Sequence, residues 1–156
     1  MTTLILALGN PLRGDDGIGA AVLEALPALP DDIVRLDGGT PGLELVLTLQ
    51  GHARVIILDA ADLGAPPGTW RLLTADDLRA TDPALAGTLH DAGLAEALQL
   101  GAALGVLPPV IQILGIQPAE IGWSPGLSPA LAAAVPAVRD AVLELLRASA
   151  CPGRDA

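Results

Sequence analysis

The chain has 156 residues, of which 51% are hydrophobic and 17% charged, and this is enough for one domain with its own core. Acidic residues outnumber basic ones by 18 to 8, and the chain contains two Trp but no Phe or Tyr. Such a composition offers neither a surface that neutralises phosphates nor a platform for stacking bases, so we expect no nucleic-acid partner.

Targeting and membrane signals are not apparent in the sequence. The longest apolar stretch, residues 102–116, contains Pro108, Pro109 and Gln112, and it is shorter than the roughly 20 residues of a spanning helix. The N-terminus has no basic residue before its short apolar run, which argues against a signal peptide. Cys151 is the single cysteine, so no disulfide can form within the chain. We expect a cytoplasmic protein without a membrane segment.

Hydrophobic patterning predicts strands and helices in alternation. Short apolar runs predict strands at residues 3–8, 33–36, 54–58 and 110–116, with a further edge strand at 70–73. Apolar residues at helical spacing predict helices from Asp15 to Leu26, around residues 43–49, over 91–104 and over 131–146. Asp15 is the expected N-cap of the first helix.

Strand-helix units in series favour a parallel sheet. We therefore predict a three-layer α/β sandwich: a twisted, mostly parallel sheet of about five strands with helices on both faces. Residues 1–150 are predicted to form this single domain, and residues 151–156 a frayed C-terminal tail.

Aspartates follow three successive predicted strands. Asp15 and Asp16 come after the first, Asp37 after the second and Asp59 after the third. Because ligands of an open α/β sheet bind at the carboxyl ends of its strands, we expect these acids to meet at one edge. For each aspartate alone, capping a turn or a helix start is an equally good interpretation; for all three together it is a weaker one.

A histidine is predicted at the same edge. His90 precedes the start of the helix over 91–104, where a surface histidine beside a helix cap is the competing interpretation. His52 lies at the amino end of the sheet and is expected to be structural. One imidazole and two carboxylates suit zinc, nickel, iron or manganese and leave coordination positions open. Such a site can bind a metal that another molecule carries, or activate a water; both uses stay open.

Other chemistries have weaker support. Ser124, Ser128 and Ser149 lie outside any GxSxG motif, and Cys151 is in the tail, so nucleophilic catalysis is not expected. The sequence GDDGIG lacks the glycine spacing of GxGxxG and the lysine of a P-loop, which makes a nucleotide site a weak alternative.

Five motifs along nearly the whole chain resemble those of the nickel-iron hydrogenase maturation endopeptidases. In order they are GNPLRGDDGIG, LDGGTPGLEL, ILDAAD, TLHDAGLAEAL and GIQPAEIGWSPGLSPAL. The resemblance implies an endopeptidase that removes a C-terminal extension from the hydrogenase large-subunit precursor after nickel has been inserted. The nickel is then supplied by the substrate, and no tightly bound organic cofactor is expected.

The resemblance also implies roles for particular residues. Asp16, Asp59 and His90 are the expected catalytic and metal-recognising residues. The rim of the crevice that receives the precursor's tail is expected to be formed by Asp37, Gly38, Gly39 and Thr40. Residues 74–89 are the expected specificity loop, whereas Gln117 and Pro118 are expected to act structurally, Gln117 by bonding nearby backbone.

Three points are left open by the sequence. Water is activated either by the metal or by a carboxylate base, Asp16 or Asp37. A non-catalytic nickel-binding accessory protein and a small-anion hydrolase are the alternative functions. The oligomeric state is the third point; a monomer is expected, because no large exposed apolar seam is evident.

Overall fold

Five strands form one sheet in the computed structural model, which describes residues 1–79 and 93–149. In chain order the strands are β1 (Thr3–Leu8), β2 (Ile33–Gly39), β3 (Arg54–Ala60), β4 (Trp70–Thr74) and β5 (Val110–Ile116). Their order across the sheet is β2-β1-β3-β5-β4, with β4 antiparallel at one edge and the other four parallel. The predicted fold class is confirmed.

Helices cover both faces of this sheet. A 3-10 helix (Pro11–Gly17) precedes the α-helices, which are α1 (Ile18–Ala25), α2 (Leu45–Leu49), α3 (Ala75–Arg79), α4 (Gly93–Leu104) and α5 (Pro129–Ser149). Helices α1 and α5 pack together on one face, and α2 and α4 pack together on the other. In the part of the chain that the structure describes, no helix has the length and apolar character needed to cross a membrane.

The central strands are buried on both sides, which explains their unbroken apolar sequences. In β1, Leu4, Leu6 and Leu8 belong to the core under α2 and α4, while Ile5 belongs to the core under α1 and α5. Strand β3 is buried at all seven of its residues. Alternate residues of these two strands therefore face opposite helix layers.

Some boundaries differ from the predicted ones. The first α-helix begins at Ile18 instead of Asp15, because the preceding 3-10 helix is interrupted at Arg13 and at Gly14, where φ is +64°. Strands β2 and β3 continue through Asp37 and Asp59, which therefore lie inside strands and not after them. Several predicted features lie outside the described residues: His90, residues 80–89 of the expected specificity loop and the tail 151–156.

His52 lies at the amino edge of the sheet, as predicted. Its Nδ1 is 2.7 Å from the hydroxyl of Thr2, and the neighbouring Ala53 N–H donates to the Thr2 carbonyl at 2.9 Å. These contacts fasten the segment before β3 to the segment before β1, which is a structural role.

Candidate active site

The turn after β1 depends on a glycine. Gly9 has a φ of +126°, and a Cβ built there would lie 2.0 Å from the carbonyl oxygen of Asp16. The absence of a side chain lets the 3-10 helix fold back over the end of the strand. The Gly9 N–H donates to the carbonyl of Gly39 at 2.8 Å, which joins this turn to the end of β2.

Asp16 is buried at the end of this 3-10 helix. Its Oδ2 accepts a hydrogen bond from the Asn10 N–H at 2.8 Å, and the Asn10 side chain in turn accepts from the Leu12 N–H at 3.0 Å. The 3-10 helix also contacts β3, the strand that carries Asp59. The carboxylate of Asp16 is thus oriented by the turn that carries it.

Asp59 is 0% exposed, although it is a carboxylate in an otherwise apolar strand. Its neighbours Leu58 and Ala60 belong to the core under α1 and α5, so the Asp59 side chain is on the face of α2 and α4. Burying a carboxylate costs free energy unless it is paired or binds a ligand. A buried acid at the carboxyl end of a central strand is therefore informative about function.

The Asp37 segment lies at the same edge but is arranged differently. Asp37 is exposed, and its Oδ1 accepts from the Gly39 N–H at 3.2 Å. A Cβ at Gly38 would lie 2.8 Å from the Leu6 side chain, so Gly38 faces α2 and α4, and Asp37 faces the opposite side. Asp37 there lines a cavity of about 490 Å³ beside α1, and Thr40 is exposed. The structure does not bring Asp37 together with Asp59.

Asp16 and Asp59 are the two predicted metal-recognising residues that the structure describes. Within residues 1–79 and 93–149, no three His, Cys, Asp or Glu side chains are grouped so that they could hold a metal ion. A three-ligand site that includes His90 stays a prediction.

Asp15 has a different role from the predicted one. The N-cap of α1 is Gly17, with no side-chain cap bond, so the prediction that Asp15 caps this helix is wrong. The buried Asp15 carboxylate instead accepts four hydrogen bonds from the loop between β5 and α5. The donors are the N–H groups of Ala119 (2.8 Å), Glu120 (3.1 Å) and Ser128 (2.6 Å) and the hydroxyl of Ser128 (2.8 Å).

The electrostatics of Asp15 follow from these contacts. Burial alone would raise the pKa of this carboxyl, and it is the largest single influence. The bonds from the Ser128 and Glu120 N–H groups, the Ser128 hydroxyl and the Ala119 N–H together outweigh it, so the pKa lies below its ordinary value of 3.8. Asp15 is therefore an ionised anchor for the loop.

Known proteins are similar to this chain in sequence. The family described as hydrogenase maturation protease (HycI) matches residues 20–145. The hydrogenase expression/formation protein HupD of Rhizobium leguminosarum bv. viciae is 33% identical over 148 residues, which are 92% of this chain and 73% of that protein. The hydrogenase 2 maturation protease of Escherichia coli is 33% identical over 156 residues, 96% of this chain and 93% of that protein. The chain belongs to the hydrogenase maturation protease family.

Structural similarity agrees with this assignment. The solved structure of the hydrogenase maturating endopeptidase HybD from Escherichia coli has a TM-score of 0.84 to this chain at 31% identity, with coverage of 96% of this chain and 94% of that one. The protein is therefore a peptidase, and the implied family is confirmed.

A second set of bonds joins the loops of this protease at the carboxyl edge. Gln117 Oε1 accepts from the N–H groups of Leu63 (2.6 Å) and Ala65 (3.4 Å), which confirms the predicted bonding to backbone. The Asp15 N–H donates to the Glu120 carbonyl at 3.2 Å. The loops after β1, β3 and β5 are thus held to one another around Asp16 and Asp59.

Two features of the protease were not found from the sequence. The sequence gives no reason to expect Ser128 as a nucleophile, and in the structure it caps α5 and binds Asp15. A serine directly before Pro129 is the sequence signal for such a cap. Trp123 is 81% exposed, and the Arg13 guanidinium lies 5.3 Å from the centre of its ring. No local pattern signals the Trp123 contact.

Proposed function

We propose that this protease removes the C-terminal extension of a nickel-iron hydrogenase large-subunit precursor, and that the nickel in the precursor is what it recognises. The observation that carries the proposal is the fully buried Asp59 at the carboxyl end of β3, on a strand that contacts the 3-10 helix bearing Asp16. Membership of the hydrogenase maturation protease family supports the choice of substrate.

In this proposal the substrate's nickel binds the two carboxylates and His90. Carboxylate oxygen and imidazole nitrogen are suitable ligands for nickel, and three protein ligands leave room for those that the precursor supplies. Asp16, oriented by the Asn10 N–H, and Asp59, fixed by its strand, bind the ion and so position the adjacent peptide bond. A precursor without nickel lacks this anchor, which makes cleavage conditional on nickel insertion.

The geometry favours Asp16 over Asp37 as a carboxylate base. Asp16 is buried beside β3, whereas Asp37 is exposed on the side of α1. The rim role of Asp37, Gly38, Gly39 and Thr40 stays part of the proposal. The Gly9 bond to Gly39 supports it, because it connects the end of β2 directly to the turn that carries Asp16.

A specific observation disfavours the small-anion hydrolase. An anion site at the turn after β1 needs backbone N–H groups that are available to a ligand. Five N–H groups of this turn already have acceptors within the protein: those of Gly9, Asn10, Leu12, Arg13 and Asp15.

The test compares nickel-loaded with nickel-free precursor. Purified protease is mixed with each, and the mass of the large subunit is followed. Loss of mass at the C-terminus only in the nickel-loaded sample is the expected result. Cleavage of both precursors at equal rates would overturn nickel recognition. Tight nickel binding by the protease alone, with both precursors uncut, would identify the accessory protein instead.

We also propose that the enzyme acts in the cytoplasm as a monomer. Gel filtration of the purified protein is expected to give an apparent mass near the 15.7 kDa of one chain. Elution at twice that mass would contradict the monomer.

A further inference from the structure

Three loops at the carboxyl edge of the sheet each carry a large, exposed apolar side chain. Leu12 after β1 is 61% exposed, Leu43 after β2 is 52% exposed, and Trp123 after β5 is 81% exposed. Because β2, β1 and β5 are parallel, these loops lie at the same end of the sheet as Asp16 and Asp59. The loops around the candidate site thus expose large apolar side chains to solvent.

Trp123 is held in place by charged neighbours. The four hydrogen bonds to Asp15 fix both ends of the loop that carries it. The guanidinium of Arg13 lies over the indole ring at 5.3 Å, the geometry of a cation–π contact. The loop that carries Trp123 is therefore anchored at both ends, and its exposed ring has a charged neighbour.

Arg13 can make a contact with a partner. Its side chain is partly exposed, although its Nε is buried, so a partner reaches the guanidinium through the terminal nitrogens. Arg13 is also the only basic residue in the loops that follow β1, β2, β3 and β5, where Asp15, Asp16 and Glu120 are among the acids. A partner that offers a carboxylate or a carbonyl oxygen at this point complements the one local positive charge.

We propose that Trp123, Arg13 and Leu12 form a docking contact for the large-subunit precursor beside the bond to be cut. The inference rests on the proposed function. Apolar side chains of the precursor cover Trp123 and Leu12, and a precursor carbonyl or carboxylate accepts from the Arg13 guanidinium. This contact sets affinity for the precursor, while Asp16 and Asp59 act at the metal.

The choice of occupant follows from position. Arg13 and Leu12 belong to the same 3-10 helix as Asp16, so a polypeptide that brings a peptide bond to Asp16 comes close to this surface. A second copy of the chain is disfavoured, because it would cover the site and bring together two chains of formal charge −10. Tryptophan and arginine are among the residues that most often contribute the binding energy of a protein interface.

The test separates binding from catalysis. With nickel-loaded precursor as substrate, Trp123→Ala is expected to raise KM about tenfold with little change in kcat, and Leu12→Ala to raise it less. Leu104→Ala is the matched control, because Leu104 is also 61% exposed but lies at the end of α4, away from this edge. If the wild-type enzyme cuts the precursor and the Trp123→Ala variant has the same KM, the docking contact alone is overturned. If the wild-type enzyme does not cut the precursor, the proposed function is overturned.

A spectroscopic measurement tests the same contact without kinetics. The chain has two Trp, so Trp70→Phe leaves Trp123 as the only indole. Saturating precursor is expected to shift the emission of Trp123 to shorter wavelength and to protect it from acrylamide quenching, since the ring becomes covered. Emission and quenching that do not change when the precursor is bound would overturn the inference.

Discussion

Ser128 donates two hydrogen bonds to the carboxylate of Asp15, from its backbone N–H at 2.6 Å and from its hydroxyl at 2.8 Å, across a separation of 113 residues. This pair connects the turn that follows the first strand to the start of the last helix. Asp15 is adjacent to Asp16, so the contact also anchors the segment that carries the candidate catalytic carboxylate. It makes Asp15 a positioning residue and not a metal ligand.

Replacing Asp15 should therefore destabilise the protein. Asp15→Ala is expected to lower the free energy of unfolding by about 3 kcal/mol, because three backbone N–H groups lose a buried acceptor. An N-cap, the role predicted from the sequence, would account for only about 1 kcal/mol. Urea denaturation measures the difference. Asp31→Ala, at an exposed position, is the control and should change stability by less than about 0.5 kcal/mol. Equal stability of the two variants would contradict the anchoring role.

The same carboxylate predicts a pH dependence. The pKa of Asp15 in the folded protein lies below its ordinary value of 3.8, so the unfolded chain binds the proton more readily. Its contribution is fully present above that ordinary value and is lost as pH falls through the folded pKa. The difference in unfolding free energy between wild type and Asp15→Asn should be constant above about pH 5 and should shrink below about pH 4. A difference that stays constant down to about pH 2 would show that the carboxylate is not held in its ionised form.

Gly9 and Gly51 provide a matched pair for the turn after β1. Both have positive φ, but a Cβ would meet the Asp16 carbonyl at Gly9 and nothing within 4 Å at Gly51. Gly9→Ala is expected to cost about 3 kcal/mol or more, through the clash added to backbone strain. Gly51→Ala should cost about 1 kcal/mol, from strain alone. Thermal or urea unfolding gives both values, and similar losses in the two variants would mean that the close approach to Asp16 is unimportant.

The metal-recognition proposal predicts a loss of activity without a loss of fold. Asp59→Asn and His90→Gln are each expected to slow cleavage of nickel-loaded precursor by about a hundredfold or more, because each removes a ligand of the substrate's nickel. Asp140→Asn, on the exposed surface of α5, should cleave at the wild-type rate. Mass spectrometry of the precursor over time gives the rates, and circular dichroism checks the fold. Wild-type rates in both site variants would refute the proposal.

The sequence predicted most strands well, because each is an apolar run that the neighbouring residues end. The apolar runs of β1 and β5 end where the structure ends them, at glycine or proline signals. Strand β2 extends three residues past its predicted end, because pairing with β1 continues through Asp37 and, after an irregularity, to Gly39. That extension depends on a partner strand, which a local pattern does not contain.

In the candidate site, too, the features set by local sequence were predicted and those set by distant residues were not. The rule that strand ends carry ligands selected Asp59 and Asp16, and family membership agrees with the motifs that contain them. It also placed Asp37 with them, although strand alternation turns Asp37 to the other face. The function of Asp15 was misjudged because its four donors lie more than a hundred residues away. The exposure of Trp123 likewise depends on how its loop is anchored.

The Asp15–Ser128 bond also has a consequence for synthesis. A ribosome releases the N-terminal end first, so the strand β1 and its turn emerge long before the loop that supplies the donors. Until the loop between β5 and α5 appears, the Asp15 carboxylate lacks its four donors, and Asp16 lacks its neighbouring anchor. The growing polypeptide therefore gains the anchor beside its candidate site only after the last strand has been made.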